Sequence, residues 1–284
     1  MKPVISVEGL RKSYGPLAVV KDLSLTIYQG EIFAILGPNG AGKTTTVEIL
    51  EGFRTADSGA ISVLDTDPAI KGAAALAWRN RIGIVLQSTQ DTAELTVREA
   101  ISHFASYYSN PRGVEDVITL VGLQEKADDR ARTLSGGQRR RLDVGLGIIG
   151  RPEVLFLDEP TTGFDPEARR AFWVLIKQLK SEGTTILLTT HYLDEAEALA
   201  DRVAVMNHGE ILEVSTPALL GGRAEARATI SWREAGETKS EESETPTEFV
   251  KSLSSRLGGE VPELTIHRPT LEDIYLSMIG ATHE

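Results

Sequence analysis

Three observations predict an α/β fold built on a buried, largely parallel sheet, followed by a small α+β appendage. Short apolar runs at 32–36 and 154–157, and the Thr-flanked run at 185–189, read as strands covered on both faces. Each is followed by a segment of helical periodicity. The first such junction, ILGPNGAGKTTTVEILEG, is a glycine-rich loop between strand and helix.

From Val4 to Leu36 the pattern has period two or is short and apolar. Leu23, Leu25 and Ile27 alternate ahead of the run Ile32–Leu36, and Gln29-Gly30 marks a turn. The stretch from about Thr96 to Gly150 is rich in helical periodicity, broken at Asn110-Pro111 and at Ser135-Gly136-Gly137. Strand and helix then alternate again: Val154–Leu157, a helix over 167–180, Thr185–Thr189, and a helix after His191. A hairpin follows, Val203–Met206 and Ile211–Val214, turned by Asn207-His208-Gly209. These segments predict one domain over residues 1–217, with a helical block at about 90–150, and a second over 218–284. The second reads as a strand at 226–232, an acidic solvated linker from Glu234 to Glu244, a helix at 249–257, a strand at 264–267 and a last helix. In that last helix Leu271, Ile274, Tyr275 and Met278 recur at i, i+3, i+4 and i+7, the spacing of a packed face.

The formal charge of -11 sets the chain against nucleic-acid phosphates and anionic lipid headgroups. The absence of cysteine removes disulfides, thiolate metal sites and cysteine nucleophiles. The N-terminus lacks the apolar core of a secretory signal, and no run reaches the ~18 apolar residues of a membrane helix. A role in a membrane process therefore calls for a separate membrane-spanning chain.

Gly37, Pro38, Asn39, Gly40, Ala41, Gly42, Lys43 and Thr44 fit the P-loop pattern. Glycines let backbone N–H groups close around a phosphate, Lys43 neutralises its charge, and the Thr44 hydroxyl is placed to ligate Mg²⁺. A helix predicted to start at Thr45 points its positive end at the same place. The acid such a site needs is supplied by Asp158 and Glu159, which emerge from the apolar run 154–157 at the strand end where α/β sheets bind ligands. Asp158 is assigned to Mg²⁺ and Glu159 to general-base activation of water.

Leu134-Ser135-Gly136-Gly137-Gln138 lies between these two motifs, and there Ser135 and two glycines open a helix whose free N–H groups can clasp a γ-phosphate. In motifs and their order the chain resembles the ATP-binding subunits of ATP-binding cassette (ABC) transporters. The resemblance implies a P-loop NTPase domain with a RecA-like core, an antiparallel β-subdomain and a helical subdomain. It also implies ATP and Mg²⁺ as ligands. Under it, Tyr14 matches the aromatic that stacks on adenine, Gln87 the glutamine that senses Mg²⁺ and water, and His191 the switch histidine at the γ-phosphate. Leu134 to Gln138, with Asp165 of the D-loop, would complete the nucleotide site of a second subunit, most simply in a homodimer. A transmembrane permease would provide the only contact with the membrane, at its cytoplasmic face. The segments LSGGQRRRLDVGLGIIGRPEVLFLDEPTTGFDPEARR and TTHYLDEAEALADRVAVMNHGEI look most like the drug-resistance or antibiotic-efflux type of bacterial exporter.

Departures from the family pattern are Phe164, where Leu is more common, the polar segment 88–92, and two glycines in the helix after the signature. Gly145 and Gly147 each cost about 1 kcal/mol relative to Ala unless close packing demands them. Two rival classes are weighed. A P-loop kinase gives no reason for residues 134–138. A non-transport ABC protein acting on DNA or ribosomes usually carries a long coiled-coil insert or a second cassette, and neither is present.

Overall fold

The alternating apolar residues of the N-terminal segment form two long antiparallel strands, β1 (Pro3–Tyr14) and β2 (Leu17–Tyr28), with Ile5, Val7 and Leu10 buried. The structure is a computed structural model that describes residues 2–85 and 94–280. The apolar run that follows is β3 (Ile32–Leu36), all five residues of which are buried. The glycine-rich loop delivers the chain into α1 (Lys43–Leu50), which starts two residues earlier than the sequence pattern suggests. Gly42 ends the loop in a left-handed conformation (φ 104°) that favours glycine, and helical geometry begins directly after it. Next, β4 (Ser58–Val63) joins β1 antiparallel and completes a three-stranded sheet in the order β2-β1-β4. The short helix α2 (Ala73–Arg79) is anchored by its Trp78 indole, which donates to the Val63 carbonyl (2.9 Å), and leads into β5 (Ile82–Val85).

The helical block consists of α3 (Val97–Ala105), α4 (Val114–Leu120) and α5 (Gly136–Ile148). Helices α3 and α5 both begin with a capping box, Thr96 with Glu99 and Ser135 with Gln138, which satisfies N–H groups that a helix start leaves unpaired. Gly145 and Gly147 of α5 both face packed neighbours. A Cβ on Gly147 would sit 2.8 Å from Val85 Cγ2, and one on Gly145 would sit 3.3 Å from Val117 Cγ1. The cost in helix propensity is thus offset by close packing, tightly at Gly147 and loosely at Gly145.

The alternation resumes with β6 (Val154–Asp158), α6 (Pro166–Ser181), β7 (Thr185–Thr190), α7 (Leu193–Leu199), β8 (Arg202–Asn207) and β9 (Glu210–Ser215). These strands join β3 and β5 in a six-stranded sheet ordered β5-β6-β7-β3-β8-β9. The pairs from β5 through β8 are parallel, so their C-terminal ends share one edge. Register decides what meets there: Leu36 pairs with Thr190, and Asp158 with Thr189. The residues that follow, Gly37, Glu159 and His191, therefore emerge side by side although they lie far apart in the chain.

Contacts divide the chain into two units, Met1–Val214 and Ser215–Glu284. The second contains β10 (Ala228–Glu234), β11 (Glu237–Ser243), α8 (Pro246–Leu257), β12 (Thr265–His267) and α9 (Leu271–Gly280), with a sheet in the order β11-β10-β12. Its small core joins Ile230 and Trp232 to Leu253 and Val261. The acidic segment expected to be a solvated linker is instead largely the edge strand β11, paired residue for residue from Ala228↔Ser243 to Glu234↔Glu237. Its side chains are almost all exposed, so backbone pairing holds it, with the Ser231–Ser240 hydroxyl contact (3.2 Å) and the Lys239–Glu234 ion pair (3.3 Å) added across the pair. A charged edge of this kind also discourages pairing with other chains. Within the same unit, the predicted face of α9 does pack: a Cβ on Gly221 would clash with Ile274 at 2.4 Å, and Leu271 and Tyr275 are buried.

Candidate nucleotide site

The loop 37–42 is pinned before any ligand is considered. A Cβ on Gly37 would lie 2.2 Å from the Met206 carbonyl, and one on Gly42 would lie 2.6 Å from that of Val19. Glycine is therefore required here by the approach of neighbouring backbone as well as by the loop's own turn. Gly37, Ala41, Gly42 and Lys43 are buried, Pro38 and Thr45 are half-buried, and Asn39, Gly40 and Thr44 are exposed. The Lys43 ammonium donates to the carbonyls of Gly37 (2.8 Å) and Pro38 (3.2 Å), which curls the loop around it.

Two acids at the end of β6 face this loop. Thr44 Oγ1 lies 3.1 Å from Asp158 Oδ2, and the Thr189 hydroxyl donates to Asp158 Oδ1. The Glu159 carboxylate is shared: Oε1 lies 3.3 Å from Lys43 Nζ, and Oε2 lies 3.3 Å from His191 Nδ1. Its backbone is left-handed (φ 44°), a conformation that costs a non-glycine residue about 1–2 kcal/mol and needs support from its surroundings. The Glu159 N–H supplies some, donating to the Thr189 carbonyl and hydroxyl. The His191 ring rests on Tyr192 at 4.1 Å between centroids, and the Arg169 guanidinium lies 4.5 Å from the Tyr192 ring centre. A buried lysine, a carboxylate with two hydroxyls, and a second carboxylate touching a histidine are an arrangement that can hold a phosphate chain next to a proton acceptor.

The signature residues lie elsewhere. Ser135, Gly136, Gly137 and Gln138 line an open recess of about 380 Å³ together with Asp165 and Phe164, and no residue of 37–45 lines it. Ser135 Oγ accepts from the Gln138 N–H (3.3 Å), and the Gln138 side chain accepts from the Ser135 N–H (2.9 Å). Leu134 precedes them, half-buried. Asp165 is the N-cap of α6, accepting from Ala168 N–H at 2.8 Å, and Phe164 sets its ring edge-on against buried Phe172. That contact accounts for an aromatic where Leu is more common. Tyr14 stands at the end of β1, 41% exposed, with Lys12 Nζ and the Arg54 guanidinium each 5.6 Å from its ring centre. Gln87 and the polar segment 88–92 lie outside the described residues.

A family model for the ABC transporter matches residues 20–162. The chain belongs to the ABC transporter family. Over 98% of its length the cassette is 37% identical to the Nod factor export ATP-binding protein I of Ralstonia nicotianae, covering 94% of that protein. Over 80% of its length it is 35% identical to the linearmycin resistance ATP-binding protein LnrL of Bacillus subtilis, covering 75% of that one. Among solved structures, cbiO1 from Clostridium perfringens matches with a TM-score of 0.70 at 28% identity, over 77% of this chain and 90% of that one. An ATP-binding cassette of an ABC transporter in its ADP conformation matches at 0.67 and 26% identity, over 76% and 92%. The cassette is thus an ATP-binding subunit that hydrolyses ATP to energise transport. Among the described residues no helix is long and apolar enough to cross a membrane.

Sequence reasoning missed three residues around the cassette's site. Thr189 is hidden in an ordinary apolar strand, Arg140 in a run of three arginines, and Glu51 in the end of α1. Nothing local distinguishes them. Burial, reinforced by the charges of Asp158 and Glu48, pushes the Glu51 carboxyl up to about 8 from an ordinary 4.5. Folding therefore retains a proton there that the unfolded chain releases, and the stability tied to that proton is full below pH 4.5 and lost as pH rises toward 8. Glu51→Gln, which mimics the protonated form, is expected to melt higher than wild type. The gap should widen between pH 5 and 8 by at most about 3 °C per pH unit, then level off. A gap that stays constant with pH in thermal melts counts against the raised value.

Proposed function

We propose that two copies of the cassette sandwich two ATP molecules, and that their closing and reopening drives export of a drug-like or hydrophobic compound through a separate transmembrane permease at the cytoplasmic face of the membrane. The observation that carries this reading is the separation within one chain. The P-loop, Asp158, Glu159 and His191 gather at one sheet edge, while the signature residues and Asp165 line a recess of their own. Two-fold pairing would set each recess over the other copy's P-loop. Export is favoured by the relatives, one named for Nod factor export and one for resistance to linearmycin.

In this reading the backbone N–H groups of Gly37 to Thr45 hold the phosphates, and Lys43 exchanges its loop carbonyls for phosphate oxygens. Tyr14 stacks on adenine. Glu159 takes the proton of the attacking water, and His191 holds the γ-phosphate side of that water. Gln87, outside the described residues, would contact Mg²⁺ and water and report to the permease. Ser135, Gly136 and Gln138 reach the partner's γ-phosphate through the start of α5. Thr44 and Asp158 present hard oxygen donors 3.1 Å apart, which suits Mg²⁺. Among the described residues no group of three or more His, Cys or acidic side chains could hold a metal by itself. When bound, the cation would supply charge neutralisation at the phosphates.

The test is Mg²⁺-dependent phosphate release by the purified chain across protein concentrations, for wild type and Ser135→Arg. The rate should rise faster than concentration, and the arginine, blocking the recess, should lower it by roughly 10²-fold. A strictly linear rate that Ser135→Arg leaves unchanged would falsify the shared site. Appearance of a phosphorylated acceptor in place of free phosphate would point to the kinase reading.

A further inference from the structure

We infer that Arg140 is a positioning residue for hydrolysis, its guanidinium on the signature helix gripping the backbone on both sides of Glu159. Arg140 Nη2 donates to the Asp158 carbonyl (2.8 Å) and Nε donates to the Pro160 carbonyl (3.1 Å). These are the two carbonyls that flank the left-handed residue Glu159. A planar fork that meets two acceptors at once sets the direction of the segment between them, which a single donor does not. The direction matters here because Glu159 touches both Lys43 and His191, each at 3.3 Å.

Arg140 is itself held in place. It is buried, 7% exposed, with Asp143 on its own helix and the buried Asp158 and Glu195 around it to balance its charge. Glu195 belongs to α7, one turn beyond His191, so the guanidinium joins the signature helix to the loop of the general base by hydrogen bonds and feels the charge of the helix after the switch histidine. Arg140 also sits little more than one helical turn from Ser135, at the end of α5 that would face the partner's nucleotide. A tilt of α5 on closure is thereby transmitted to the carbonyls that aim Glu159. Occupancy of the partner's site would set the geometry of this chain's base.

This inference rests on the assignment of Glu159 as the base under the proposed function. It is tested by steady-state ATPase kinetics and thermal melting of the full chain for Arg140→Gln, Arg140→Lys, Glu159→Gln and the double variant Arg140→Gln/Glu159→Gln. Misaiming the base should lower kcat for Arg140→Gln by about 30-fold with KM for ATP within about threefold, since a displacement near 1 Å at a reacting group costs up to 10²-fold. Arg140→Lys keeps the charge and the aliphatic stem but offers one donor centre, and should fall in between with a near-wild-type melting temperature. In the Glu159→Gln background Arg140→Gln should cause no further loss, because both changes act on one group.

Arg140→Lys with wild-type kcat overturns the inference, and it decides the matter if Arg140→Gln does not fold. An undiminished loss in the Glu159→Gln background overturns it as well, because Arg140 would then act by another route. Both outcomes leave the Glu159→Gln defect, and with it the proposed function, intact. Wild-type kcat in Glu159→Gln alone is the different result that removes the base and leaves Arg140 nothing to aim.

Discussion

Glu159→Gln is expected to lower kcat for ATP hydrolysis by roughly 10²- to 10⁴-fold, the range for loss of a general base, while ATP still binds. The amide matches the carboxylate in size, so the left-handed turn at residue 159 and its bonds to Thr189 can persist. What disappears is the capacity to accept a proton. The substitution also removes a negative charge 3.3 Å from Lys43, freeing the ammonium for phosphate and taking an anion away from the place where another must sit. Affinity for ATP should therefore hold or improve as turnover collapses, and a nucleotide-bound state should accumulate. Phosphate release and equilibrium binding of a fluorescent ATP analogue, measured on the same preparation, separate the two effects. If kcat survives, another group takes the proton and Glu159 only orders the loop.

Gly83→Ala is expected to destabilise the cassette by about 3 kcal/mol, near the upper end of ordinary overpacking. A Cβ at Gly83 would lie 2.2 Å from the Gly147 carbonyl oxygen and 3.0 Å from atoms of Leu155 and Pro152. The obstacle is backbone on α5, which cannot rotate away as a side chain would. To admit one methyl group α5 must retreat from β5, yet Gly147 is already packed against Val85. A Tm lower by roughly 6–12 °C is expected for a chain of this size. Gly136→Ala is the control, with nothing within 4 Å of the added carbon, and should leave the melting temperature within about 1 °C. Calorimetry on the three proteins checks the pair, and equal Tm values would mean that α5 and β5 are not in the contact described.

These two expectations differ in how visible they are from the chain alone. Glu159 is readable because its neighbours announce it: Val154 to Leu157 are apolar throughout, as a strand covered on both faces must be, and the acids at its end have no other reason to interrupt such a run. The P-loop and the Ser135 cap are legible for the same kind of reason. Backbone conformation at Gly42 and the reciprocal bonds of Ser135 with Gln138 are settled within a few residues, by local sterics and local hydrogen bonds. Gly147 stands out as a glycine in a helix, but its partner Gly83 does not, since a glycine in a short strand has many causes.

The features that escaped share a different origin. β11 carries no apolar alternation because neither of its faces is buried, and only its register with β10 makes it a strand. Arg140 sits between two other arginines of the same helix, and which of the three turns inward is decided by where β6 ends relative to α5. Glu51 is ionisable in any sequence reading and acquires its raised pKa only from burial close to Asp158. Short-range chemistry thus marks the motifs and the strands that carry them. The distances that make them a site, 3.3 Å from Glu159 to Lys43 and to His191, come from a parallel register between strands more than 30 residues apart, which is a property of the packed sheet and of no segment within it.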